Sequence, residues 1–314
     1  MTIMVTGAAG YLGSYVCDVL LEAGDRVVGL DNLAWGIPEH VERFADDDRF
    51  VFVQADIGDT DAVTAAIITH GVTEIYHLAA LHFIPAAVRN PSLAVGINVL
   101  GTQSMLDAVR RAAAEGHRVE RFAFASTGDV YAPADEAHRI DGEIGPFNIY
   151  GLSKLQGEQL IALADRDLDT TFLVSRFFNL YGARETNPHI VPEIVDQLRE
   201  GTGELLLGNL EPRRDMVPID QAAKALVEAT RAAAPGVTTV NIGTGVAHTM
   251  QSVVDTLVEL AGTETTVGTD PAKVRASERM HLQADTGPLE ALIGWAPSGD
   301  LEAGIKKLLV DEGF

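Results

Sequence analysis

Through its first half the chain alternates short apolar runs with stretches whose apolar residues recur every three or four positions. The runs Ile3–Val5, Val27–Leu30, Phe50–Val53, Glu74–Leu78, Phe122–Ala125 and Thr171–Ser175 read as strands, because near-continuous apolar segments of this length suit a sheet buried on both faces. Tyr11–Ala23, Ala62–Thr69, Leu93–Ala114 and Tyr150–Ala164 carry the helical period. Such alternation predicts an α/β fold, a parallel sheet with helices on both faces. Beyond about residue 177, Gly and Pro punctuate shorter segments, as at Asn187-Pro188, Gly201-Thr202-Gly203 and Glu211-Pro212, with one more strand at Val237–Ile242. The expected organisation is a first domain over residues 1–176, joined by a return segment near 215–245. Residues 177–314 form mainly a smaller lobe closing over the sheet edge.

Parallel sheets of this kind bind ligands at the carboxyl ends of their strands. Gly7, Asp31, Asp56, Ala79 and Ser126 fall there, after the first five strands in turn. Gly7-Ala8-Ala9-Gly10-Tyr11-Leu12-Gly13 is a G-x-x-G-x-x-G turn between strand and helix. Such a turn sets backbone N–H groups and a positive helix end against a pyrophosphate. Gly7 permits the turn, Gly10 admits the diphosphate, Gly13 lets helix and strand pack, and Tyr11 and Leu12 open the helix beside them. A turn that merely needs glycines is the alternative, disfavoured by its place right after the first strand.

Asp31 lies 18 residues after Gly13, where a carboxylate accepts hydrogen bonds from a ribose diol. It would repel a 2′-phosphate, and the neighbouring Asn32 supplies no cation, so the expected cofactor is NAD and not NADP. Asp56, with Ile57, is placed to hold the adenine end; capping the helix that starts near Asp59 is the other reading. Leu78, Ala79 and Ala80 offer a cofactor a smooth wall, Ala125 closes the fifth strand beside it, and His77 reads as a packed strand histidine. His82 follows in a loop where it can touch cofactor or sugar. The chain contains no H-E-x-x-H pattern, so no metal is expected.

Tyr150 and Lys154 stand one helical turn apart in Y-x-x-x-K and face the same way. A nearby ammonium stabilises a phenolate, so Lys154 is expected to lower the Tyr150 pKa and to hold the nicotinamide ribose. Thr127 ends the fifth strand, within reach of a reacting oxygen. Together they suit alcohol oxidation, in which Tyr150 removes the hydroxyl proton while hydride goes to NAD.

Composition narrows the partners. The 314 residues carry a formal charge of −22, which argues against nucleic acid or an anionic membrane surface. The acidity fits a salt-rich habitat or plain drift in an Ala-rich genome. Cys17 is the only cysteine, which excludes an intrachain disulfide and a thiolate metal cluster. No charged and apolar leader or long apolar run is read, and a cytoplasmic location is expected.

The chain resembles the extended short-chain dehydrogenase/reductase family, in its NAD-dependent nucleotide-sugar epimerase/dehydratase group. The likeness rests on the glycine turn, Leu30-Asp31-Asn32-Leu33, His77-Leu78-Ala79-Ala80, Asn98 in Asn98-Val99-Leu100-Gly101-Thr102, and Ser126-Thr127-Gly128-Asp129-Val130-Tyr131. It continues through Tyr150–Lys154, Arg176-Phe177-Phe178-Asn179-Leu180-Tyr181-Gly182, Arg213-Arg214-Asp215 and Asn241-Ile242-Gly243-Thr244-Gly245, to Ala284-Asp285 ahead of Gly294-Trp295. It implies a Rossmann-like, doubly wound parallel sheet with a smaller C-terminal substrate-binding lobe, and a homodimer through a four-helix bundle. It makes Thr127, Tyr150 and Lys154 catalytic and adds Asn98 to the cofactor set. Asn179, Arg214 and Arg275 become binders of the sugar diphosphate, although an ion pair with Asp215 is another reading of Arg214, and a surface pairing of Arg275.

Family members that dehydrate at C5 and C6 carry Asp-Glu directly after the threonine, and decarboxylases carry Ser-Glu. Here those places hold Gly128 and Asp129. A 4-epimerase of the UDP-glucose/UDP-galactose type needs neither acid and is the favoured reading. Dehydratase, decarboxylase and 5-epimerase chemistry stay open through Asp129, and an NAD-sensing binding protein is the alternative of another class.

Overall fold

The computed structural model describes residues 1–314 except Thr186, Thr202 and 274–277. Its first half runs β1 (Thr2–Thr6), α1 (Tyr11–Glu22), β2 (Arg26–Asp31), α2 (Glu39–Glu42), β3 (Phe50–Gln54), α3 (Thr60–His70), β4 (Glu74–His77), α4 (Ile84–Arg89), α5 (Pro91–Val95), α6 (Gly101–Ala114), β5 (Arg121–Thr127) and α7 (Ile149–Ala164). There follow β6 (Thr171–Phe177), β7 (Asn179–Tyr181), α8 (Ile190–Glu200), β8 (Glu204–Leu207), β9 (Arg213–Pro218), α9 (Ile219–Ala232) and β10 (Val237–Ile242). The chain ends with β11 (Ala247–Thr249), α10 (Met250–Ala261), β12 (Thr266–Thr269), β13 (His281–Leu282), α11 (Gly287–Ile293) and α12 (Leu301–Asp311).

Seven strands form one parallel sheet in the order β3-β2-β1-β4-β5-β6-β10. This is the Rossmann-like α/β fold, with the strand order reversing between β1 and β4. Side chains alternate across it as the pleat requires. Ile3 and Val5 of β1 join the core under α1 and α9, whereas Met4 joins the opposite core under α3, α6 and α7. The strand expected at Val237–Ile242 is β10, which completes the sheet beside β6.

The remaining strands form two small sheets, β11-β9-β13 with β7 beside β9, and β12-β8. A third core lies among them, where Ile194, Leu205, Val253, Leu257 and Ile305 are fully buried. The second half is more helical than its punctuation suggested, because several glycines end helices instead of interrupting them. Gly201 and Gly262 take left-handed C-caps on α8 and α10 at φ 64° and 66°. The helix expected over Leu93–Ala114 is interrupted by a π-turn at Gly96–Leu100. Among the described residues no helix is long and apolar enough to cross a membrane.

Candidate active site

A cleft of about 930 Å³ runs along the carboxyl ends of the strands and under the small sheets. That lies near the top of the range for small-molecule sites and suits two ligands side by side. Every described residue expected at the site lines it except Asn98. Arg275 lies outside the described residues.

The glycine turn is dictated by packing. Gly7 sits at φ 72°, and a Cβ there would meet the Ala79 backbone nitrogen at 2.9 Å. A Cβ at Gly13 would lie 2.0 Å from the Gly7 carbonyl oxygen. Gly10 caps α1 with no side-chain hydrogen bond, which leaves that helix end to a ligand. The Tyr11 hydroxyl is buried with no hydrogen-bond partner, and so is Oδ1 of Asn179 across the cleft. Orphaned polar atoms of this kind fit a site shaped for bound polar ligands.

Asp31 ends β2 with its carboxylate fixed by two backbone donors, Ala9 at 3.1 Å and Leu33 at 2.8 Å. Burial raises its pKa, against the pull of those hydrogen bonds. The bend that brings Leu33 back to Asp31 puts Leu33 at φ 60°, a strained position for a leucine. Asp56 accepts hydrogen bonds from Asn32 Nδ2 at 2.6 Å and the Gly58 backbone at 2.7 Å. Asp59, not Asp56, caps α3. His77 is the packed strand histidine expected. Its ring lies between the Thr6 and Thr102 hydroxyls at 2.9 and 3.1 Å, and burial, then Lys154, drives its pKa down to about 3.

Asn98 works from behind the wall. Set by the π-turn, its side chain accepts from Leu81 N at 2.8 Å, donates to Leu81 O at 3.1 Å and donates to Ser153 Oγ at 2.9 Å. It clamps the loop after β4 to α7 and supports the cofactor wall instead of lining it.

Asn148 caps α7 by accepting from Gly151 N at 2.9 Å. Gly151 is required because a Cβ there would stand 2.4 Å from the Asp129 carbonyl oxygen. The helix therefore packs directly on the Gly128–Val130 turn, which sets Tyr150 on the cleft wall with Thr127. Lys154 lies one turn on, its Nζ 4.9 Å from the Phe124 ring centroid. One expectation is corrected here. The Tyr150 pKa is raised, first by burial and then by Asp129, with only the polar Thr127 side chain opposing. Lys154 does not offset this, because burial lowers its own pKa to about 7 and weakens its hold on a proton.

Three contributors escaped the sequence reading. Glu158, one turn beyond Lys154, receives Arg176 through two hydrogen bonds of 2.9 and 2.7 Å and Ser126 Oγ at 2.5 Å. Arg176 also reaches the Tyr131 hydroxyl at 2.9 Å. This buried pair ties α7 to the ends of β5 and β6. A signal existed in the continuing i, i+4 stripe. Arg279 is the third, and local sequence gave no sign of it. It donates to the Gly128 and Tyr131 carbonyls at 3.3 and 2.6 Å, and its Nε lies 4.0 Å from Asp129.

Asn179 and Arg214 face the cleft from β7 and β9. Asp215 does not serve Arg214. Its carboxylate is committed to Thr244 N and Oγ1, Gly245 N and Ala284 N, at 2.6–3.1 Å.

Residues 3–243 match the NAD dependent epimerase/dehydratase family. The UDP-glucose 4-epimerase of Mycolicibacterium smegmatis is 30% identical over 98% of this chain and 97% of its own length. The dTDP-glucose 4,6-dehydratase of Streptomyces griseus is 29% identical over 96% of this chain and 91% of its own. The crystal structure of Thermus thermophilus UDP-glucose 4-epimerase in complex with NAD superposes with a TM-score of 0.85 at 27% identity, covering 99% of this chain and 98% of that one.

Proposed function

The chain belongs to the NAD-dependent epimerase/dehydratase family and is an NAD-dependent enzyme; on that premise we propose that it is a nucleotide-sugar 4-epimerase of the UDP-glucose/UDP-galactose type. The observation that carries the choice is the surroundings of Gly128. A Cβ there would already lie 3.3 Å from Phe178 and from Leu282. The place next to Thr127 therefore carries no side chain and is crowded by Phe178 and Leu282, so the acid that a 4,6-dehydratase uses to expel the 6-hydroxyl is missing there. Thr127, Tyr150 and Lys154, which this reading takes as the oxidation apparatus, all line the cleft beside it.

In this reading the lobe after residue 177 holds the nucleotide sugar, with Asn179, Arg214 and Arg275 at the diphosphate and His82 near the sugar. The Thr127 hydroxyl orients the reacting oxygen at C4, and Tyr150 takes its proton as hydride leaves C4. Bound NAD supplies a positive nicotinamide that accepts the hydride and later returns it. That positive charge offsets the burial and the Asp129 field that otherwise hold Tyr150 protonated. After the 4-keto sugar turns within the cleft, Tyr150 gives the proton back to the new alkoxide as hydride reaches the opposite face. Asp31 and the first turn of α1 hold the ribose and pyrophosphate throughout. A homodimer through the α5–α6 and α7 surfaces, and a cytoplasmic location, belong to the same reading.

The test is incubation with UDP-, dTDP-, GDP- and CDP-sugars in deuterated water, without added cofactor, read by chromatography and mass spectrometry. An isomer of unchanged mass, with no carbon-bound deuterium, is the expected product. Tyr150→Phe should reduce its formation by about 10²–10⁴-fold. Loss of water, loss of carbon dioxide or deuterium on carbon would replace the reading with dehydratase, decarboxylase or C5 chemistry, with Asp129 as the acting carboxylate. Reversible NAD binding with no turnover of any sugar would favour a sensor.

A further inference from the structure

His82, Glu185 and His189 come together on the cleft wall with one ligand atom from each lying within 4.8 Å of the others. They arrive from separate places in the fold, the loop after β4, the loop after β7 and the N-cap of α8. The two imidazole rings are stacked with centroids 6.2 Å apart and planes 28° apart, and Phe83 packs edge-on to His189 at 5.5 Å. We propose that these three side chains form a divalent-cation site of the zinc class, open toward the substrate cleft.

Two imidazoles and one carboxylate are a donor set that zinc takes, with the fourth position left to water or a ligand. Donor atoms on a tetrahedral zinc lie about 3.4 Å apart, given bonds of about 2.0–2.1 Å. The observed spacing, within 4.8 Å, exceeds this by at most about 1.4 Å, a shift on the scale of side-chain movement.

The supports are built in. Nε2 of His82 faces the Asn187 amide nitrogen at 3.0 Å, so it carries the lone pair. A cation would take the place of the Asn187 amide on that lone pair. The segment before His82 is fixed because Asn98 clamps Leu81 in both directions. The loop carrying Glu185 is tied to α1. There the Tyr15 hydroxyl donates to Ala183 O at 3.1 Å, and Arg184 pairs with Asp18 at 2.9 Å and lies 4.0 Å over the Tyr15 ring.

Charge gives the cation a purpose. Among the described residues, six carboxylates line the cleft against four lysines and arginines. A pyrophosphate cofactor and a diphosphate substrate both bring negative charge into it. A divalent cation there would offset part of this charge and present its open position to the bound ligand. Local spacing rules found no metal because they look along one helix, whereas His82 and Glu185 are a hundred residues apart.

The experiment uses tag-free protein stripped with a chelator, with no sugar present. Zn²⁺ is titrated by calorimetry, and Co²⁺ by its visible ligand-field spectrum. We expect one saturable equivalent and the intense bands of a four-coordinate cobalt site. Glu185→Gln and His189→Ala should each weaken binding at least tenfold while far-ultraviolet dichroism stays unchanged. A wild type with no saturable binding would overturn the site. So would the pale spectrum of six-coordinate cobalt, or binding that survives both variants, since either would put the ion on surface carboxylates. The cobalt spectrum needs no variant, so a misfolded mutant leaves the question decidable. Because sugar is absent, failure here is separate from failure of the epimerase reading.

Discussion

Lys154 lines the cleft with its ammonium against an aromatic ring, and burial lowers its pKa to about 7 from an ordinary value of 10.5. Unfolding restores the ordinary value, so between about pH 7 and 10.5 the unfolded chain binds more protons at this site. The contribution of Lys154 is therefore most unfavourable below pH 7 and improves as pH rises through that window. Lys154→Met in the apoprotein should be more stable than wild type at pH 6, with the gap closing toward pH 10; melting curves across that range check it. A gap that widens with pH would refute the assignment of the shift to Lys154. Tyr150, Lys154 and Thr127 were legible in the sequence because helical spacing and the end of an apolar run place side chains without knowledge of the fold. Arg279 was not, because only the pairing of β13 with β9 carries it to the Gly128 carbonyl. The direction of the Tyr150 shift was missed for a related reason, since spacing reveals a neighbour but not how deeply both are buried.

At the scale of elements, α7 is a rail that serves chemistry at one end and anchorage at the other. Tyr150 and Lys154 face the cleft, and Glu158 on the same stripe fastens the helix to β5 and β6 through Ser126 and Arg176. Both members of the Glu158–Arg176 pair are about nine-tenths buried. Removing one partner of such a pair strands a charge and costs about 3–5 kcal/mol. Arg176→Met is expected to lose that much in urea unfolding, and Glu158→Gln with Arg176→Met together should lose less than the sum. Additive losses would mean that the two groups are not coupled. The strands of the seven-stranded sheet were foreseen to within a residue or two, because β-rich apolar runs are short and sharply bounded. The π-turn at Gly96–Leu100 was not, as nothing in the period of Leu93–Ala114 marks the extra residue that lets Asn98 turn toward Leu81.

For the whole molecule, the outer surfaces of α5–α6 and α7 leave Leu93, Leu100, Leu152 and Leu163 between 39% and 63% exposed. Apolar residues concentrated on two neighbouring helices fit the proposed homodimer. Leu100→Asp with Leu163→Asp should shift the sedimentation coefficient to that of a monomer, and an unchanged coefficient would exclude these helices from an interface. The alternation of the first half was enough to read the sheet. The second lobe was legible only as a change of texture, because its strands are short and its sheets join segments far apart in the chain, such as β9 with β13.

The late arrival of β10 bears on how the protein is made. From the emergence of Phe177 until Ile242 has left the ribosome, on the order of ten seconds at ordinary rates of synthesis, β6 is an open parallel edge with unpaired backbone groups. Such an edge is a template for stray strand pairing. A nascent or truncated chain ending soon after Phe177 would hold the whole glycine turn and the reactive tyrosine, yet remain sticky. The sheet that binds the cofactor is sealed by the same stretch of chain that builds the lobe above it.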